Sequence, residues 1–373
     1  MIIENALEDQ PWFAPVSWIV QVMPLFFITG GFSAFTQWQR MAARGASTGD
    51  YVRSRLARLL VPAIAMVATV GVGLTVLVAA GLPHDLVATA GFRIAQPLWF
   101  LAVYLGCSAL VPMMILAHER ARWQTTLLLV AAVVTVDVVR IATGVEAVGF
   151  LNLTLVWLLV QQLGFWLGDG SIAAMTARAR LWVAGAAVSV ILLLSNAGWY
   201  SPDMYVNLNP PTLSIVLLGV AQLMLFSLAA PRIRLVVQHR SVSTVVNAIG
   251  SRAMTIYLWH MSVLVALAGL LLVSGMPLPD PLSFDWWTSR PTWLAVVAFA
   301  VIAVVRMTER FERIRPATDR SAGSWMLTIA TLLGVAAVGI LLVVGFTPAT
   351  ALASVVMMLL AIRMSRAVKF SAR

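Results

Sequence analysis

Arg55 and Arg58, in the run Arg55-Leu-Ala-Arg58, stand at the mouth of a long apolar stretch that continues past Pro62. Helical positions i and i+3 share a face. Two guanidinium groups so placed can grip phosphate or pyrophosphate bidentately, or they can anchor a helix end at a membrane surface. His260, in Thr255-Ile-Tyr-Leu-Trp-His260, lies inside another apolar run. Counted from Arg252 at the edge of that run, it sits about 12 Å deep. A neutral imidazole there can relay a proton, orient a hydroxyl or bond to a neighbouring helix. Asp137 and Arg140 form a further i, i+3 pair near the end of an apolar run. They can neutralise each other inside a bundle or line a polar wall for a sugar. Gln21, Asn152, Gln161 and Gln162 are amides in apolar surroundings that can bind hydroxyls or bridge helices. Trp99 opens an apolar run, a place where tryptophan usually marks the membrane interface.

Other chemistries find no support. Cys107 is the one cysteine, so it forms no intrachain disulfide and reads as a small apolar filler. His84, His118 and His239 are well separated and read as solvated loop residues. The sequence holds no metal-site spacing, no phosphate-binding Walker loop and no nucleophile elbow.

The elements that must position these residues can be read from composition. Of 373 residues, 61% are hydrophobic and 11% charged, with mean hydropathy +0.92. A soluble domain carries about 25% charged residues, so the solvent for this chain is lipid. Eleven apolar runs of spanning character occur, at about 16–38, 57–81, 97–117, 123–142, 148–168, 180–199, 211–230, 245–273, 291–306, 324–345 and 348–363. Their length makes them helices rather than barrel strands. The expectation is an all-α, polytopic membrane bundle of about 11 transmembrane helices, with residues 1–373 forming one domain.

The net charge of +10 does not mark a nucleic-acid binder. Twenty-four of the 25 basic residues are arginine, clustered between apolar runs. Alternate loops hold 22 and 3 of the basic residues, the pattern that puts the rich set in the cytoplasm. This predicts a multi-pass protein of the plasma (inner) membrane with a cytoplasmic C-terminus and an external N-terminus. The preference for Arg over Lys, with abundant Ala and Val, suggests a GC-rich bacterial genome.

The stretch Pro24-Leu-Phe-Phe-Ile-Thr-Gly-Gly-Phe-Ser33, then a basic loop and Arg55-Leu-Ala-Arg58, resembles the integral-membrane acyltransferase family 3. That family has a Phe-Phe-x-x-(Ser/Gly)-Gly-(Phe/Tyr) helix and an Arg-x-x-Arg motif. Trp99-Phe-Leu101 and Tyr257-Leu-Trp-His260 resemble later family segments. The resemblance runs from Ile2 to about Arg306 and leaves the spans within 324–363 outside it. Members move acyl groups, often acetyl, from a coenzyme A thioester to hydroxyls of cell-surface glycans or glycolipids.

The resemblance implies O-acylation in the cell envelope. Acyl-CoA would be the donor substrate, with no bound cofactor and no metal. Arg55 and Arg58 would hold the donor, with His260 a further catalytic candidate. Trp99, Asp137, Arg140 and Gln161 are the candidates for contact with the envelope carbohydrate or glycolipid. Family members begin with a helix bearing a basic residue and, some ten residues later, the histidine that serves as base. Ile2–Gln21 resembles the family segment immediately after that helix, so one more helix is expected upstream. A transporter or lipid flippase would explain the spans, the Asp137–Arg140 pair and His260, but not the arginine motif or Tyr-Leu-Trp-His. An inactive relative acting as a scaffold is the third reading. Acceptor identity, acyl length and oligomeric state are not legible.

Overall fold

A backbone surrounded by hydrocarbon must satisfy its own hydrogen bonds, and in the computed structural model of this chain each long apolar run does so as an α-helix. The structure describes residues 10, 12–308 and 323–366. The long elements are α1 (Phe13–Val20), α2 (Met23–Ala42), α3 (Thr48–Ala79), α4 (His84–Ala95), α5 (Trp99–Thr143), α6 (Asn152–Gly168), α7 (Ala177–Asn196), α8 (Leu213–Gln238), α9 (Arg240–Ser251), α10 (Ala253–Val273), α11 (Phe284–Thr308), α12 (Ser324–Val343) and α13 (Pro348–Met364). Among the described residues, nine helical segments are long and apolar enough to cross a membrane. The protein is an all-α, polytopic membrane protein. Arg310, Arg313, Arg315 and Arg320, the acidic Glu4, Glu8 and Asp9, and Lys369 and Arg373 lie outside the described residues.

The eleven expected runs map onto these helices with two adjustments. The segment His84–Thr143 counts 60 residues. At 1.5 Å per residue that would be about 90 Å, three times the hydrocarbon core. The chain breaks at Ala121, where φ −155° and ψ 57° are non-helical. The Thr125 hydroxyl then donates to the Ala117 carbonyl at 3.1 Å. In a straight helix those residues would lie about 12 Å apart, so α5 is a hairpin of two spans. The run expected from 245 to 273 also divides. The span is α10, starting at Ala253; Arg240–Ser251 is a separate helix with no buried residue. Its valines and isoleucine repeat at helical spacing instead of filling every face, so a window of hydrophobicity merged the two.

The described chain falls into two compact units, each assembled from separate stretches. The first holds residues 1–46 and 110–242. Its centre is the contact between α2 and α6. A Cβ on Gly31 would strike the Gln161 carbonyl, and one on Gly164 the Ile28 carbonyl, so the two backbones touch at these glycines. Phe27 stacks on Trp157 beside them, with centroids 4.3 Å apart. This is how helices associate in lipid, where close packing replaces the hydrophobic drive. α8 joins at Gly219, which faces Pro24 and Ile28.

The second unit holds residues 47–109 and 243–373. α3 opens with a capping box between Ser47 and Asp50, which satisfies two of the free N–H groups of its first turn. At 32 residues it is about 48 Å long and outreaches the hydrocarbon core. α12 and α13 are integral to this unit. Gly71 of α3 meets Ala351 of α13, and Gly334 of α12 meets Leu60 and Leu105. The Ser354 hydroxyl donates to the Ala337 carbonyl at 2.7 Å between the last two helices. α10 and α11 pair through Val263, Val301 and Val305.

Candidate active site

Four of the residues expected to do chemistry fall in the second unit: Arg55 and Arg58 on α3, Trp99 on α5 and His260 on α10. Arg55 is buried, its Nε donates to the Tyr51 hydroxyl at 3.1 Å, and its guanidinium carbon lies 5.1 Å from the Tyr51 ring centroid. Arg58 is exposed. Three residues of helix leave the two side chains about 60° apart, enough to turn one inward and the other to the rim. The pair is therefore one held cation and one accessible cation.

His260 is half-buried in the third turn of α10. Its Nδ1 lies 2.6 Å from the Tyr257 carbonyl oxygen. A carbonyl only accepts, so Nδ1 carries a proton, and in the neutral ring the lone pair is then at Nε2. That is the tautomer a proton acceptor needs. The Tyr257 hydroxyl in turn donates to the Pro97 carbonyl at 2.6 Å. Phe100 meets the Tyr257 ring edge-to-face at 5.0 Å, and Trp99 meets Phe100 at 6.3 Å. Trp99 and His260 are thus joined through Phe100 and Tyr257.

The bond between Tyr257 and Pro97 ties α10 to the turn before α5. Tyr257 is only five residues into α10, about 7 Å from its start, and it bonds Pro97 directly. The 12 residues of α4 explain how. At about 18 Å, α4 is too short to cross, and it brings the start of α5 to Tyr257. Trp99 thus stands at the start of α5, next to Phe100, whose ring meets Tyr257.

The other expected residues fall in the first unit. Asp137 is 1% exposed. Its carboxylate accepts from the Tyr200 hydroxyl at 2.7 Å, Asn152 Nδ2 at 2.9 Å and the Leu213 backbone N–H at 2.9 Å. Arg140 does not close on it but pairs with Glu146 at 3.2 Å. Arg140 thus makes its direct ion pair with Glu146 while remaining within electrostatic reach of Asp137, which is hydrogen-bonded by three other donors. Burial and the adjacent Asp137 carboxylate push the Tyr200 hydroxyl above its ordinary range, so it stays a donor. Asp137 therefore pins the connection before α8 to α5 and α6. Gln161 is buried at the α2–α6 contact, with its carbonyl against Gly31.

His118 corrects the sequence reading. It was expected in a solvated loop, yet it lies within α5 at 3% exposure. Its Nε2 is 3.1 Å from Asp169 Oδ2 and its Nδ1 is 2.7 Å from Gln162 Nε2. Arg122 Nη1 donates to the same Asp169 oxygen at 3.2 Å, and its guanidinium lies 5.0 Å from the Trp166 ring. Burial would raise the Asp169 carboxyl, but the backbone N–H and hydroxyl of Ser171, with His118, outweigh it and hold the group below its usual range. His118, Arg122 and Asp169 border a cavity of about 670 Å³, also lined by Phe35, Gln39 and Arg120. With both ring nitrogens engaged, His118 clamps the α5 turn to the end of α6. The run His118-Glu-Arg-Ala-Arg122 does hold the turn of the α5 hairpin; what its charge concealed is that the turn buries His118. The available signal was topological: the runs ending near 117 and 168 finish on one membrane face, which brings His118 and Asp169 to the same end.

The family model described as an acyltransferase domain matches residues 4–308, most of the chain. The chain belongs to acyltransferase family 3. No curated protein and no solved structure matched it. The match to this membrane acyltransferase family covers α1–α11, and so includes Arg55, Arg58, Trp99 and His260. α12 and α13 lie beyond it but pack on α3, the helix of the arginine motif. Among the described residues no group of His, Cys, Asp and Glu could hold a metal ion.

Proposed function

We propose that this protein is an O-acyltransferase of the bacterial inner membrane. It moves an acyl group, acetyl by preference, from a cytoplasmic acyl-CoA to a hydroxyl of an envelope carbohydrate or glycolipid. The observation that carries the reading is the family match together with the bond from His260 Nδ1 to the Tyr257 carbonyl, which leaves Nε2 as the acceptor of the neutral ring. In this reading the exposed Arg58 meets the donor phosphates and the buried Arg55 backs it. The acceptor hydroxyl gives its proton to His260 Nε2 as its oxygen attacks the thioester carbonyl. The carbon–sulfur bond then breaks and the thiolate leaves as coenzyme A, taking up a proton. An ester and a free thiol are the products. Tyr257 holds the imidazole in register through its carbonyl.

The test is transfer from labelled acetyl-CoA in membranes carrying the chain. His260→Ala is expected to lower the rate by a factor of about 10² to 10⁴, the usual worth of a positioned base. Arg58→Ala should weaken donor use, with Lys rescuing poorly because it lacks the planar fork. Normal insertion with undiminished transfer in both Ala variants would overturn the assignment.

A further inference from the structure

α9 has an apolar stripe that none of the described residues buries. At about 100° per residue, Val242, Val245, Val246 and Ile249 fall within an arc of about 100°. Arg240, Thr244, Asn247 and Ser251 fall on the opposite side. Val245, Val246 and Ile249 are 56%, 46% and 55% exposed, and no residue of the helix is buried. Apolar groups left in water lose the stabilisation that burial brings, so an aliphatic stripe at this spacing needs a cover.

The place of α9 in the chain says what the cover is. It connects α8 and α10, which are consecutive membrane spans, so it lies at one membrane surface. It comes one residue, His239, after α8 and one residue, Arg252, before α10. Those short links tie it to the ends of both helices. Its charge is of one sign. From Pro231 to Arg252 the sequence has Arg232, Arg234, Arg240 and Arg252 and no carboxylate. Amphipathic helices of this build bind at the headgroup boundary, and juxtamembrane arginines draw anionic lipid.

We propose that α9 lies in the plane of the membrane, with Val242, Val245, Val246 and Ile249 among the acyl chains. Arg240 and Arg252, at its two ends, bind the phosphates of anionic phospholipid. The lipid bound there also fixes the start of α10, eight residues before His260. The proposal concerns the lipid contact of α9 and stands apart from the acyl-transfer reading.

Spin labels on single introduced cysteines test this without an activity assay. Cys107 is 1% exposed and can remain in place. Labels at Val245→Cys, Val246→Cys and Ile249→Cys report the apolar face; Asn247→Cys and Ser251→Cys report the polar face. The purified chain is reconstituted in phosphatidylcholine vesicles, with and without phosphatidylglycerol. Apolar-face labels should be more accessible to oxygen than to a water-soluble nickel chelate, and polar-face labels the reverse. Phosphatidylglycerol should drive the apolar-face labels deeper, and Arg240→Gln with Arg252→Gln should abolish that response. Equal access of the chelate to both faces would place α9 in water and overturn the proposal. So would shielding of the apolar face from both reagents, which would reveal a protein partner or a second copy. Depth unaffected by phosphatidylglycerol would overturn the anionic-lipid contact.

Discussion

The Tyr257 hydroxyl donates to the Pro97 carbonyl at 2.6 Å, and the Tyr257 carbonyl accepts from His260 Nδ1 at the same distance. One residue thus ties the start of α5 to α10 and sets the tautomer of the histidine. Tyr257→Phe removes only the first bond. It strands the Pro97 carbonyl and frees the start of α5, and with it Trp99. We expect the variant to insert normally and to lose about tenfold in kcat, which corresponds to about 1.4 kcal/mol. KM for the acyl donor should stay unchanged, because Arg55 and Arg58 lie on another helix. A rise in KM with unchanged kcat would show that Tyr257 serves donor binding instead.

Asp137 gathers three donors around a carboxylate that is 1% exposed. Asp137→Ala strands the Tyr200 hydroxyl, the Asn152 amide and the Leu213 N–H together. Each unpaired buried group costs about 1–3 kcal/mol. The loss of stability should be at least about 3 kcal/mol, read as a lowered Tm in detergent. Tyr200→Phe removes one donor and should cost about 1 kcal/mol. Equal Tm values for the two variants would argue against the shared-carboxylate arrangement.

Glycines give the sharpest packing contrast. Gly31→Val would push a side chain into the Gln161 backbone, which has no flexible end to move aside. Overpacking of this kind costs about 1–3 kcal/mol. Gly73, on the same kind of apolar helix, has open space at its Cβ. Gly73→Ala should be neutral or stabilise by up to about 1 kcal/mol, because alanine is the better helix former. Tm values of the two variants check the pair, and equal destabilisation would refute the α2–α6 contact.

Topology is tested by reporter fusions. The arginine-rich loops are expected in the cytoplasm, so fusions after Arg44, Arg180 and Arg240 should report there. Fusions near Pro83, Asp203 and Asp285 should report the outside. An inverted pattern would remove the cytoplasmic donor from the proposed reaction.

The solvent decides how much of this protein is legible in its sequence. Hydrocarbon forces each long apolar run to be a helix, so the spans could be read without any partner. The close approach at Gly31 was not legible, because the Gln161 backbone it meets lies 130 residues on. The features that escaped depend on residues far apart in sequence. Nothing local to His118 reports that Asp169 and Gln162 will surround it. Nothing in the Trp99-Phe-Leu run reports that Tyr257 will meet Pro97 and Phe100. Nothing local to Asp137 reports that Tyr200 and Leu213, 63 and 76 residues on, will meet its carboxylate. α9 was merged with α10 because hydrophobicity was summed along the chain and not around the helix.

The last expectation concerns acid. Asp169 is held below its ordinary carboxyl value of 3.8 by Ser171 and His118, against the opposing push of burial. A group whose folded pKa is depressed favours the folded state most in its ionised form. Its contribution is complete above the unfolded value and is lost as pH falls through the lower folded value. The Tm of the wild-type chain should therefore drop across this window, from about pH 4 downward. Asp169→Asn cannot ionise. It should start from a lower Tm at neutral pH, because His118 and Arg122 lose their anion, and it should decline less steeply below about pH 4. His118→Gln keeps the Ser171 bonds to Asp169 but removes the imidazole, so its acid limb should be shallower than the wild type and steeper than Asp169→Asn. Identical acid limbs in all three proteins would show that the clamp at the α5 turn contributes nothing to stability.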